Sequence, residues 1–130
     1  MTTKRRKILV VDDEASIREI LAIQLSRLGY EVAIAADGEE GLEAYEKDRP
    51  DLVLLDVMMP RLDGLRVCQK IRALEKKSGV RVPVLFLTAR DTKHDKTTAA
   101  LSGGDDFVSK PVSIQELQER VDAALDKARP

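Results

Sequence analysis

Apolar and polar positions along this chain follow two alternating periods. Short apolar runs at residues 8–11, 52–55 and 84–87, with a briefer one at 107–108, have the length of buried strands and lack helical spacing. A mixed run at 31–35 reads as a short strand. Between these runs the period changes. Ile17, Leu21, Leu25 and Leu28 recur as one helix face, and Leu65, Cys68, Ile71 and Leu74 form a second. Ile114, Leu117, Val121 and Leu125 form a third, and Leu42 and Tyr45 mark the inward side of a helix running to about Asp48.

Punctuation residues agree with these periods. Gly29 follows the first helix as a C-terminal stop. Asp37 and Ser113 stand where N-caps belong, and Glu116 completes a capping box with Ser113. Pro50 ends one helix, and Pro83 opens the fourth strand, where its missing N–H is tolerated. Residues 91–104 should hold a helix too, but the segment is weak. Its stripe is Ala99, Ala100 and Leu101 alone, and Thr97, Thr98 and the pair Gly103–Gly104 lower helix propensity.

Strand and helix thus alternate five times. The connections are too long for hairpins, so the strands should lie parallel with helices on both faces. The predicted architecture is α/β, an open doubly wound sheet, and such sheets bind ligands beyond the C-terminal ends of their strands.

Composition narrows the class. A chain of 130 residues, 43% hydrophobic, fits one globular domain over 1–130 with its core at about 7–127. The net charge of −1 argues against general polyanion binding, so no direct nucleic-acid contact is expected. No run approaches a membrane span, and the apolar stretch after the basic start is too short for a signal peptide, which predicts a cytoplasmic protein without membrane contact. Residues 4–7 read as a solvated basic arm. One cysteine and one histidine exclude an internal disulfide and multi-cysteine or multi-histidine metal sites, leaving oxygen ligands for any metal. Cys68 lies on an apolar stripe and reads as core, and His94 reads as solvated.

The chemistry lies at the predicted strand ends. Strand one ends in Asp12 and Asp13, strand three in Asp56, strand four in Thr88, and strand five leads to Lys110. Three carboxylates brought together repel one another unless a cation intervenes. An all-oxygen site with few protein ligands suits Mg²⁺. A lysine and a hydroxyl beside it would receive phosphoryl oxygens, so the set reads as a carboxylate nucleophile for phosphoryl transfer. Simpler roles compete for some of these residues. Asp12 and Asp13 could cap the first helix and Thr88 the next one. Asp63–Gly64 reads as turn chemistry, and the side chains of Met58 and Met59 read as packing groups.

In order and spacing, ILVVDDE at 8–14, LVLLDVMMPRLDG at 52–64, VLFLTAR at 84–90 and DDFVSKP at 105–111 resemble the receiver domain of two-component response regulators. The resemblance implies a flavodoxin-like (βα)5 fold with strand order 2-1-3-4-5. It implies Asp56 as phosphoacceptor, with Asp12, Asp13, Asp56 and the Met58 carbonyl around Mg²⁺. Thr88 and Lys110 would meet the phosphoryl group, Thr88 and Phe107 would form a switch, and the Lys110–Pro111 peptide would be cis. The implied partners are a sensor histidine kinase or phosphotransfer protein, an output protein or domain, and a second copy in a phosphorylation-dependent homodimer. Gly103, where alanine is usual, and Val112, where phenylalanine is frequent, depart from the family pattern. A phosphatase of the haloacid dehalogenase type would need a second aspartate two residues after its nucleophile, and Met58 stands there. No G-x-G-x-x-G or P-loop pattern supports a nucleotide-binding enzyme.

Overall fold

The computed structural model describes residues 5–88, 103–110 and 112–128. Its elements are β1 (Lys7–Val11), α1 (Ala15–Arg27), β2 (Glu31–Ala35), α2 (Gly38–Asp48), β3 (Leu52–Asp56), α3 (Gly64–Ser78), β4 (Val84–Thr88), β5 (Asp106–Ser109) and α4 (Ile114–Ala128). The five strands are all parallel, in the order β2-β1-β3-β4-β5. This is the doubly wound sheet that the alternation of periods predicts. The helix expected at 91–104 and the Lys110–Pro111 peptide fall outside the described residues, apart from Gly103, Gly104 and Lys110.

Strand pleating divides the core into two layers. Ile8, Val10, Leu52, Leu54, Leu85 and Leu87 point to one face, where Leu21 and Leu25 of α1 and Leu117, Val121 and Leu125 of α4 cover them. Leu9, Val11, Val53, Leu55, Val84 and Phe86 point to the other, under Val67, Cys68 and Ile71 of α3. Central strands sandwiched in this way need apolar residues at every position, which is why β1, β3 and β4 read as unbroken runs.

Local signals act largely as expected. The side chain of Asp37 accepts from Glu40 N at 2.8 Å and Ser113 Oγ from Glu116 N at 3.1 Å, while Asp63, read as turn chemistry, proves to be the N-cap of α3 and accepts from Arg66 N at 2.9 Å. Two expectations about packing fail. The Met58 side chain is exposed, the residue keeping 75% of its accessible surface, whereas Met59 is buried. The chain turns away from the sheet directly after Asp56, so only one of two consecutive side chains can face the core. Ile114 is 38% exposed, because the α4 stripe meets the sheet only from Leu117 onward.

Register sets the site. Val11 pairs with Leu55, Asp56 with Leu87, and Thr88 with Ser109. Strands β1, β3, β4 and β5 therefore end nearly level. The residues that follow or close them share one edge.

Candidate functional site

Asp12, the first residue past β1, has no exposed surface, and Asp56, the last residue of β3, is 3% exposed. One carboxylate oxygen from each of Asp12, Asp13 and Asp56 lies within 4.8 Å of the others. Lys110 reaches into the cluster from the end of β5. Its Nζ lies 2.7 Å from Asp12 Oδ2 and 3.3 Å from Asp56 Oδ1. Thr88 is buried at the end of β4, and its carbonyl accepts from Lys110 N at 2.7 Å, fixing the lysine backbone beside it. The structure thus brings together all five residues singled out at the strand ends.

Three carboxylates face one ammonium. Burial pushes the Asp56 carboxyl up to about 7, the charge of Asp12 adds to the rise, and Lys110 opposes it. The Lys110 ammonium moves up too. Burial pulls it down, but hydrogen bonding to Asp12 and the charges of Asp56 and Asp12 together outweigh that pull. Asp12 Oδ2 is fully buried, with the Lys110 ammonium 2.7 Å away as its partner. A buried carboxylate oxygen in that state fits a cation ligand.

The capping alternative for Asp12 holds only in part. The N-cap of α1 is Glu14, whose side chain makes no cap hydrogen bond. Asp12 Oδ1 accepts from Glu14 N at 2.9 Å, so one of its oxygens shapes the turn into α1 and the other faces the cluster. Asp56 Oδ1 accepts from Met58 N at 3.3 Å, which curls the chain after β3 around the carboxylate.

One supporting residue goes beyond the sequence reading. Gly64 carries no turn-specific φ, yet a Cβ there would lie 2.1 Å from the Asp56 carbonyl oxygen. The first turn of α3 is packed against the backbone of Asp56, and Gly64 N donates to Val57 O at 3.1 Å. The signal was visible as Asp63–Gly64, but its meaning depends on a contact between a helix start and a strand end eight residues back. Phe107, on β5, pairs with Phe86 and packs half-buried against the second core layer.

The family model described as response regulator receiver domain matches residues 8–122. The chain belongs to that family. Among curated relatives, this receiver is 50% identical over 125 residues to the probable transcriptional regulator ycf27 of Cyanophora paradoxa, covering 96% of this chain and 50% of the relative. It is 46% identical over 123 residues to the alkaline phosphatase synthesis transcriptional regulatory protein PhoP of Bacillus subtilis (strain 168), covering 95% and 50%. The receiver spans about half the length of these relatives. Among solved structures, the chemotaxis protein CheY4 of Vibrio cholerae aligns with a TM-score of 0.87 at 30% identity, over 93% of this chain and 99% of that one. A putative response regulator from Chloroflexus aurantiacus J-10-fl aligns at 0.86 and 37%, over 95% and 99%. The receiver is a signalling module of the flavodoxin-like kind. Among its described residues no helix is long and apolar enough to cross a membrane.

Proposed function

We propose that Asp56 accepts a phosphoryl group from the phosphohistidine of a sensor histidine kinase or a phosphotransfer protein. The observation that carries this reading is the unbalanced cluster: Asp56 is buried at a strand end among three carboxylates, and the one lysine there pairs with Asp12 and Asp56. In the transfer, an Asp56 carboxylate oxygen bonds to phosphorus as the P–N bond breaks, and the imidazole leaves with the electron pair. The attacking group must be ionised, and Lys110 lies where it favours that state.

Asp12, Asp13, Asp56 and the carbonyl of Met58 are the groups that would hold Mg²⁺, and the buried Asp12 Oδ2 suits that use. Mg²⁺, when bound, supplies neutralising charge for the phosphoryl oxygens. After transfer, Lys110 Nζ pairs with a phosphoryl oxygen, and the Thr88 hydroxyl donates to another, each a charge-assisted hydrogen bond. Drawing Thr88 toward the phosphoryl group frees space for Phe107 to bury more of its ring. A buried phenyl group is worth roughly 1.5–3 kcal/mol, enough to bias two states without locking one. The described chain would work in the cytoplasm and pass this bias to an output protein or domain, through a phosphorylation-dependent homodimer or another partner. Since curated relatives are named as transcriptional regulators, that output is control of transcription.

The test is incubation with acetyl phosphate and Mg²⁺, followed by mapping of the modified residue by mass spectrometry. Label should appear on Asp56 and be lost in Asp56→Asn, with the fold retained. Labelling of that variant at the wild-type rate would overturn the assignment. NMR of the beryllofluoride–Mg²⁺ form should move Phe107, and unchanged Phe107 shifts with Asp56 occupied would remove it from the switch.

A further inference from the structure

A cavity of about 410 Å³ opens between the C-terminal turns of α2 and α3, at the edge of the sheet opposite Asp56. Its walls are the ring of Tyr45 and the side chains of Leu74, Val80 and Val82, and two cations, Arg49 and Lys77, stand at its rim. Val80 is 61% exposed, so apolar surface continues to the mouth. Each cation sits at a helix C-terminus, Arg49 as the C-cap of α2 and Lys77 in the last turn of α3. Among the described residues neither forms an ion pair. One rim carboxylate, Glu46, leaves the mouth with a net positive charge.

This lining selects a class of ligand. A cavity of several hundred cubic ångströms with apolar walls and a few polar groups takes a small molecule. Apolar walls gain nothing from a bare hydrated anion, and two cations without an ion pair among the described residues favour an anionic head. A single exposed valine at the mouth is too little apolar surface to lie in a bilayer.

The cavity wall is also wired into the sheet. Val82 N donates to Glu75 Oε2 at 2.6 Å, and Val82 O accepts from Arg72 Nη1 at 2.7 Å. Arg72 Nη2 donates to Asp105 Oδ2 at 2.8 Å, and that same oxygen accepts from Val84 N at 2.8 Å. Asp105 immediately precedes β5, the strand that carries Phe107 and leads to Lys110. Movement of Val82 therefore reaches the start of β5 through two side chains.

We propose that the cavity is an effector site for a small soluble anionic amphiphile, with its apolar group on Tyr45, Leu74 and Val80 and its carboxylate or phosphate on Arg49 and Lys77. Octanoate and octylammonium, added in turn to the ¹⁵N-labelled chain below their micelle concentrations, give the test. Octanoate should cause saturable amide shifts at Tyr45, Val80 and Val82, with shifts of the same midpoint at Asp105 and Asp106, and octylammonium should cause none. Arg49 has φ 47°, a left-handed value that asparagine tolerates, so Arg49→Asn combined with Lys77→Gln should fold. It should weaken octanoate roughly fivefold or more, the loss expected for two exposed ion pairs. Val80→Asp, at an exposed position, should weaken it as well. Equal binding of octylammonium, shifts that do not saturate, or unchanged affinity in the double variant would overturn the site. Silence at Asp105 and Asp106 while the cavity saturates would overturn the effector role. Sedimentation with phosphatidylglycerol vesicles that the double variant abolishes would overturn the soluble ligand in favour of a membrane lipid.

Discussion

The two edges of the sheet each gather charged side chains, and they handle charge in opposite ways. At the base, Arg72 Nε donates to Gly103 O, Nη1 to Glu75 Oε1 and Val82 O, and Nη2 to Asp105 Oδ2. Asp105 Oδ1 meets Arg81 Nη1 at 2.6 Å, and Glu75 Oε2 accepts from Val82 N. Two guanidinium groups balance two carboxylates, and every one of the four carboxylate oxygens has a donor. At the other edge three carboxylates gather around one lysine, which pairs with Asp12 and Asp56 and leaves an excess of negative charge. A satisfied buried network rigidifies; an unbalanced one stores an appetite for a cation or a new charge. Charge density alone marks neither edge as functional. Imbalance does.

The contrast breaks most forcefully at its balanced end. Arg72→Met would strand Glu75 and Asp105 as partly buried carboxylates without their main partner. The cost should be about 3–5 kcal/mol by urea denaturation, the range for removing one side of a buried ion pair. The rate of Asp56 labelling by acetyl phosphate in the folded fraction should stay within about twofold, since a two-fold rate change is a small fraction of a kcal/mol. A loss below 1 kcal/mol would mean that the base network holds little.

At the unbalanced end the sign reverses. A carboxyl raised to about 7 binds its proton more tightly in the folded chain than in the unfolded one, where it titrates near 3.8. Its contribution to stability is therefore complete below about 3.8, falls as pH rises toward 7, and is gone above it. Asp56→Asn cannot ionise, so without Mg²⁺ it should be more stable than the wild type at pH 8. The gain should reach at most about 4 kcal/mol, the linkage value of that displacement. The gap should narrow toward pH 5, and Mg²⁺ at pH 8 should narrow it by stabilising the wild type. Thermal unfolding across pH reads all three arms; a gap independent of pH would show that Asp56 is not under strain from charge.

Gly64→Ala separates packing from charge. Its Cβ would fall 2.1 Å from a backbone oxygen of Asp56, so a shift of α3 or of the strand end is unavoidable. About 3 kcal/mol of destabilisation is expected, the upper end for overpacking, together with slower Asp56 labelling. Near-wild-type stability would mean that the helix start yields freely. The smallest effect belongs to Arg81→Ala. Its side chain is mostly exposed and Asp105 keeps Arg72, so less than about 1 kcal/mol should be lost.

The sequence by itself determined the five strand positions, the faces of the four described helices apart from Ile114, and the parallel order of connection, because burial on two faces writes an unbroken apolar run and burial on one face writes a stripe. It also determined which residues would stand at the strand ends, since a polar residue closing such a run is local information. Tertiary structure alone decided how those ends relate. The level register of β1, β3, β4 and β5 brings Asp12, Asp13, Asp56 and Lys110 together, and no short-range pattern encodes a 54-residue separation between Asp56 and Lys110. The same limit hid Gly64, whose missing Cβ matters only because a helix start meets a strand end. It hid the base network as well. Arg72 and Glu75 look like an ordinary surface pair one helical turn apart, and only the approach of Asp105 and Val82 makes them a hub. Met58 and Met59 are identical in type and adjacent in sequence, yet the turn after β3 buries one and exposes the other. Hydrophobicity sets how much surface must be buried; which side chain of a pair is buried depends on the direction the backbone takes, and that is fixed by packing across the sheet.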